Sequence, residues 1–347
     1  MALISFVLLN YNSGNYVEDL IDSLAKQSNN DWDIIIVDNA SSNDSLNRII
    51  SKIESYKLKN WNVIRLSKNL QFAGGMNAGI SHAKGKIIVP LNTDVYLDPQ
   101  YVDILSTAFQ KYKRERIGTF VGNELIWDWS KKCLTEKYRN YGVSFVRRLH
   151  VSKWHPDFET KLKLLGPSGC APPIIRKALE KIRLSNGDYY DSQFISFGED
   201  IDLFLRLRLN GFLPFYLPNL KFWHIGSASY GKKRLSFSSK PSFLLGIILA
   251  NKWRIWRRIP SLTERLIITP IILFSHIYYF ALIVRSKGLK ELMKIFGRYI
   301  RTIRRFSIEK HYIFPKSPGQ MGLYAGWIFS RSQWTQMLRE KFLKKIQ

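Results

Sequence analysis

Short apolar runs alternate with helical patterns through the first 120 residues of the chain. Uninterrupted apolar stretches predict strands at residues 3–9, 33–37, 61–66, 86–91 and 117–121. Between the first two, Tyr16, Val17, Leu20, Ile21 and Leu24 recur at helical spacing, and Leu46, Ile49, Ile50 and Ile53 do so between the second and third. Asp98 followed by Pro99 has the form of an N-cap and first helical residue, for a helix reaching about Lys111. Strands and helices alternating at this spacing predict an α/β domain, a mostly parallel sheet flanked by helices.

The pattern weakens over residues 122–165, where Trp- and Lys-rich segments show no dominant period and read as an irregular link. It returns with the turn Gly166-Pro167-Ser168-Gly169-Cys170, helices at 173–181 and 199–210, and a strand-like run at 214–217. Gly211 stands where a helix C′ residue is expected. After Pro241 the chain is apolar and basic, with no internal repeat or low-complexity tract. We therefore divide it into residues 1–240, with halves at 1–120 and 121–240, and a helical region at 241–347.

With 347 residues and 46% hydrophobic content the chain can bury a full core. Its two cysteines, Cys133 and Cys170, give no disulfide framework and suit a reducing compartment. Residues 1–9 lack the basic n-region and small-residue cleavage site of a secretory signal and read as a first strand, so the α/β part is expected to face the cytoplasm.

The net charge of +26 is unevenly spread: +1 over residues 1–120, +9 over 121–240 and +16 over 241–347. The last segment also holds Trp253, Trp256 and, at 266–284, 19 residues without formal charge. An anionic membrane surface explains this combination better than nucleic acid, because the basic residues accompany an apolar stretch instead of an aromatic-studded polar face. The stretch is close to the roughly 20 residues that cross a bilayer. Pro270, His276, Tyr278 and Tyr279 interrupt it, however, and basic clusters flank both ends: Arg254, Arg257 and Arg258 before, Arg285, Lys287 and Lys290 after. Helices lying in the cytoplasmic leaflet are expected; a buried core helix is the alternative.

Polar clusters fall where the predicted strands end, which is where open α/β sheets bind ligands. The run 86–91 stops on Asn92-Thr93-Asp94, so Asp94 is a candidate metal or phosphate-site ligand, or a cap on the turn before Pro99. Asn10-Tyr11-Asn12 follows the first strand. Asp38-Asn39-Ala40-Ser41 follows the second; there Asp38 can accept hydrogen bonds from a base or ribose, and Ser41, Asn43 or Asp44 can cap the next helix. Residues 69–79 read as a glycine-bearing loop running into a helix that ends near Lys84, with the close backbone approach and free N–H groups an anion needs but no P-loop Gly-Lys-Ser/Thr ending. Glu199 and Asp200 open a helix beside an aromatic loop, as a general base in a partly dry pocket would and as ordinary first-turn acids also would. His224, after Phe222 and Trp223, is either a ligand or a packed residue.

Taken in order, these clusters resemble glycosyltransferase family 2, the inverting GT-A enzymes, and within it the bacterial rhamnosyltransferase-like branch, over about residues 3–230. The resemblance implies that Asn10, Asn12, Asp38 and Ser41 bind the nucleotide. It matches the glycine-bearing loop at Asn69, Phe72, Ala73, Gly74, Gly75, Asn77 and Gly79, with Gln71 where a glycine is usual. Asn92-Thr93-Asp94 corresponds to the family's Asp-x-Asp metal motif, with Asn92 in place of the first acid and on the donor's side of the site. Glu199-Asp200 corresponds to the pair containing the catalytic base, Asp200, and His224 to a histidine that completes the metal site beside Asp94.

By resemblance the chain is an enzyme that moves a sugar, rhamnose in that branch, from a nucleoside-diphosphate donor to a hydroxyl. The cofactor implied is a divalent cation, Mg2+ or Mn2+. The acceptor would be a lipid-linked glycan or a cell-surface polysaccharide or lipopolysaccharide precursor, reached from the cytoplasmic face of the plasma membrane by peripheral or monotopic attachment. A silent nucleotide-sugar-binding scaffold is the alternative; a nucleic-acid partner is not expected.

Overall fold

Burial at all but one position of Ile4–Asn10 makes the first strand, β1, a central one. The computed structural model of the chain describes residues 2–145, 151–153, 164–226, 240–259 and 262–306. After β1 come α1 (Tyr16–Ala25), β2 (Trp32–Asp38), α2 (Ser45–Ser55), β3 (Trp61–Arg65), α3 (Gln71–His82), β4 (Ile87–Leu91), β5 (Val95–Leu97) and α4 (Tyr101–Tyr112). The second half holds β6 (Ile117–Asp128), β7 (Cys133–Asn140), β8 (Val143–Phe145), β9 (Val151–Lys153), β10 (Leu164–Gly166), β11 (Ile174–Ile175), α5 (Arg176–Lys181), α6 (Glu199–Leu209) and β12 (Leu213–His224). Three helices follow: α7 (Ser242–Arg258), α8 (Leu262–Lys287) and α9 (Leu289–Arg304).

Among the described residues the main sheet has nine strands in the order β3-β2-β1-β4-β11-β6-β12-β5, with β7 on β6; β10-β8-β9 form a second, small sheet. The strands β3, β2, β1 and β4 run parallel, and β12 runs parallel to β6. Period-two alternation sorts the two cores. Ile4, Phe6, Leu8, Ile34 and Ile36 meet α1, α2 and α4, whereas Val7, Ile35 and Val37 meet α3 and α6. The mixed α/β architecture is thus the one expected from the pattern.

Several elements depart from the sequence reading. The expected glycine loop is helical from Gln71, and its glycines serve packing: a Cβ on Gly79 would lie 2.4 Å from Val7 Cγ1, and one on Gly75 2.4 Å from Leu9 Cδ1. Gly79→Ala should therefore cost roughly 1–3 kcal/mol of stability by overpacking, measured by urea denaturation. The described part of the expected irregular link is strand: β6 runs on to Asp128 and β7 pairs back on it; residues 146–150 and 154–163 lie outside the described set. The strand-like run at 214–217 is the middle of the twelve-residue β12, whose register shifts near Pro214 and Pro218 absorb the missing N–H groups. Helix α4 starts at Tyr101, with Asp98 accepting from Gln100 N before it.

The basic clusters before residue 266 also read differently in the structure. Arg254 and Arg258 are buried or nearly so and paired with acids: Arg254 with Asp191 (3.1 Å), Arg258 with Asp191 (2.8 Å) and Asp202 (2.7 Å). Helix α8 passes through Pro270 unbroken and packs on α7, where Lys252 Nζ donates to Ser275 Oγ at 2.8 Å. Its segment Ile268–Lys287 is long and apolar enough to cross a membrane by length and composition. Residues 307–347 of the expected basic region lie outside the described set.

Candidate active site

The C-terminal ends of the parallel strands bring the first polar clusters together. Asn10 and Asp38 are register partners, and Asn10 Nδ2 donates to Asp38 Oδ1 (2.8 Å), Ser41 Oγ (3.1 Å) and Ser45 Oγ (2.9 Å). Asn12, in the left-handed region (φ +49°), donates from its N to Ser41 Oγ and accepts at Oδ1 from Ser42 N at 2.8 Å. The loops after β1 and β2 are therefore one hydrogen-bonded unit. Asn39, which the sequence analysis did not assign, accepts from Leu70 N and donates to Asn69 Oδ1, fixing the chain's entry into α3. There Gln71 adopts φ +61°, which explains why a glycine suits that position.

Helix α3 presents Phe72 and Asn77 to the 189–190 segment. Phe72 meets Tyr190 edge-on, with ring centroids 5.8 Å apart. The Asn77 amide accepts from Tyr189 N and Tyr190 N and donates to Tyr190 O, so its polar atoms hold this segment in place. Gly74 faces Leu70, whose Cβ would lie 2.8 Å from an added methyl.

A second corner forms where β5 folds back on the end of β12. Register pairing of His224 with Val95 sets the imidazole beside Asp94, Nε2 3.2 Å from Oδ2, while Nδ1 lies 2.7 Å from Glu124 Oε1 on neighbouring β6. Cys170 joins Glu124 and His224 in one cluster, with Ser168 Oγ 3.1 Å from its sulfur. Burial disfavours the imidazolium, but Cys170 and Asp94 outweigh it and hold the His224 pKa well above the ordinary value. Burial likewise pushes Glu124 up, and the hydrogen bond and charge of His224 reverse this to leave it lowered. Burial pushes the Cys170 thiol up, against the lowering effect of His224.

This donor set fits a divalent cation. A carboxylate and an imidazole nitrogen 3.2 Å apart can share one ion, and metal-binding histidines ordinarily give their other nitrogen to a carboxylate, here Glu124. Asn92 follows the end of β4, its backbone N donating to Cys170 O at 2.9 Å.

The turn 166–170 separates this corner from the acidic pair. Asp200 Oδ2 lies so close to Gly169 that a Cβ there would be 2.5 Å away, which only glycine allows. Asp200 Oδ1 accepts from Ile201 N at 2.8 Å, while Glu199 Oε2 is buried without a hydrogen-bond partner among the described residues. Burial, and then the neighbouring Asp200 charge, push Glu199 up to about 8; burial also raises Asp200. Two buried carboxyls side by side in the chain disfavour double ionisation, so the pair as a whole is held toward its protonated form.

The loop leading into this pair is gripped from outside the sheet. Asn251 Nδ2 of α7 donates to Ser196 O (3.0 Å) and Phe197 O (2.7 Å), beside the Arg254 and Arg258 pairs to Asp191. Glu124 and Cys170 join the site without a role readable from sequence, where their only signal is an acid and a thiol in otherwise apolar company, and the α7 clamp has no sequence signal at all.

Solved structures with a similar fold include GT-A glycosyltransferases. The mannosyltransferase PcManGT of Pyrobaculum calidifontis, solved with GDP-Man and Mn2+, superposes with a TM-score of 0.53 at 13% identity, covering 88% of this chain and 76% of that one. In sequence, the glycosyl transferase family 2 model matches residues 5–183, and the chain belongs to that family. It is 33% identical over 114 residues to the chondroitin synthase of Pasteurella multocida, a match covering 33% of this chain and 11% of the synthase. It is 25% identical over 235 residues to the putative glycosyltransferase EpsE of Bacillus subtilis, covering 68% of this chain and 77% of EpsE. The chain spans 11% of the length of the first curated relatives it matches.

Proposed function

We propose that the enzyme transfers a sugar, with inversion, from a nucleoside-diphosphate donor to a hydroxyl of a lipid-linked glycan or cell-surface polysaccharide precursor. The observation that carries this reading is the placement of the Asp94–His224–Glu124 corner and the Glu199–Asp200 pair on either side of the 166–170 turn. The donor complex of PcManGT supports a nucleotide sugar and a divalent ion. Asn10, Asn12, Asp38 and Ser41 line the nucleotide end, with Asn69, Phe72, Gly74 and Asn77 shaping the wall behind it and Asn92 facing the diphosphate.

Asp94 and His224 would hold Mg2+ or Mn2+, which supplies positive charge to the departing diphosphate. Asp200 takes the proton from the acceptor hydroxyl as that oxygen bonds to the anomeric carbon and the nucleoside diphosphate leaves. Rhamnose is the sugar we assign, on the resemblance to the rhamnosyltransferase-like branch.

We assign residues 1–240 to catalysis and 241–347 to membrane association at the cytoplasmic face. Support comes from α8, which packs one face on α7 and exposes Leu266, Leu273, Phe274, Ile277 and Tyr278 on the other, as a monotopic helix would. Testing a panel of nucleotide sugars for thermal stabilisation and for transfer or hydrolysis, with and without Mn2+, checks the proposal. Stabilisation without turnover would favour a silent scaffold. Glu124→Gln, which removes the carboxylate that orients His224 and pairs with Arg139, should weaken Mn2+ binding roughly 10–100-fold by calorimetry.

A further inference from the structure

We infer that the clefts lined by α9 bind the phosphate or diphosphate head of a lipid-linked acceptor, an inference that rests on the transfer to a lipid-linked glycan proposed above. Helix α9 is two-sided. Ile295 and Tyr299 pack into the core formed with α7 and α8, where Trp253 Nε1 donates to Tyr299 Oη at 2.6 Å. Arg298, Arg301, Arg304 and Arg305 follow along another side, and the acids nearby are already engaged: Asp191 by Arg254 and Arg258, Asp202 by Arg206 and Arg258, Glu291 by Lys294. Arg298 Nε is buried without a hydrogen-bond partner among the described residues.

Two clefts share Arg298 and Arg301. The larger, about 730 Å3, lies between the start of α7 and α9, with Phe243, Ile300 and Arg304 among its walls. The smaller, about 190 Å3, lies between α9 and the loop ahead of the catalytic pair and is lined also by Gln193, Ile195, Arg254 and Arg305. Arg298, Arg301, Arg304 and Arg305, which have no ion pair among the described residues, suit a multiply charged anion. The exposed apolar side chains Phe243, Leu289, Met293 and Phe296 beside them suit a hydrocarbon chain, which a free phosphate would not need.

The site also stands in the right place. Gln193 and Ile195 belong to the loop that runs into Glu199 and Asp200, and Arg254 reaches both the cleft and Asp191. A head group held there anchors the acceptor against the segment that carries the base.

The full-length protein in neutral detergent micelles is titrated with a polyprenyl phosphate, with the matching polyprenol and with inorganic diphosphate. Affinity for the polyprenyl phosphate should fall roughly 10- to 30-fold in Arg298→Gln/Arg301→Gln and about twofold or less in the charge-matched Lys113→Gln/Arg114→Gln. Arg301→Gln alone, at an exposed position, should show a several-fold part of the loss if the double variant melts early. Equal losses in both double variants, polyprenol binding as tightly as its phosphate, or inorganic diphosphate binding as tightly as the lipid would each overturn the inference. Donor hydrolysis by the unaltered protein is read in parallel. Its absence removes the transfer reading, whereas unchanged lipid binding in the arginine variants with hydrolysis present removes this inference alone.

Discussion

Asp200→Asn should lower transfer by roughly 10²- to 10⁴-fold while leaving donor-dependent thermal stabilisation in place. The carboxylate sits against Gly169, beside the turn whose Ser168 and Cys170 support the His224 corner, so its loss removes the proposed proton acceptor without touching the proposed nucleotide end. Near-normal turnover would end its assignment as base. The companion Glu199→Gln separates the two carboxyls. Because Glu199 is pushed up to about 8, it holds a proton at neutral pH, and wild-type transfer should decline as pH rises past that value; the glutamine variant should not show this alkaline decline. Stability carries the same sign. A carboxyl whose pKa rises on folding contributes fully below its ordinary value near 4.5 and loses that contribution as pH climbs toward 8. Melting temperatures of Glu199→Gln should therefore gain on the wild type between pH 5 and 9.

Asp202→Ala carries the largest expected stability cost, roughly 3–5 kcal/mol or about 10 °C in melting temperature. Arg206 is fully buried and donates to Asp202 at 2.8 Å as well as to the carbonyls of Ile182 and Tyr189; Arg258 reaches the other oxygen at 2.7 Å. Removing the carboxylate strands buried positive charge at the base of α6. Burial pushes the Asp202 pKa up, but the Arg258 and Arg206 charges outweigh it and hold it below the usual value. Its contribution is thus present above about pH 4 and fades as pH falls through the lowered value, so wild type and variant should converge in acid. Urea denaturation at pH 7 and at pH 3.5 measures both effects.

What the sequence revealed divides along a physical line. Elements built by local periodicity were legible: β1 to β4, α1 and α2 appear within a residue or two of the expected bounds. Elements decided by distant partners were not. Gly75 and Gly79 look like part of a loop, since glycine disfavours helix, yet close packing of α3 on Leu9, Val7 and Val37 requires them there. Glu124 hides the continuation of β6, because a strand tolerates a buried acid only when something like His224 and Arg139 receives it. Asp94, Asp200 and His224 were identifiable as candidates in sequence order, but that Glu124 orients the histidine and that Gly169 faces Asp200 follows only from the sheet. Counting charges likewise cannot distinguish a guanidinium awaiting a membrane from one already matched to Asp191.

That matching bears on how enzymes of this kind can be recombined. Asn251, Arg254 and Arg258 tie the third region to the loop at 191–197 as a keystone ties an arch, so a chain ended at residue 240 would lose the support of Ser196, Phe197 and Asp191 together. A chimera that exchanges the C-terminal helices for those of a relative would have to carry compatible partners at 191, 193 and 202. The specificity of such a graft would be decided at that seam before any sugar is bound.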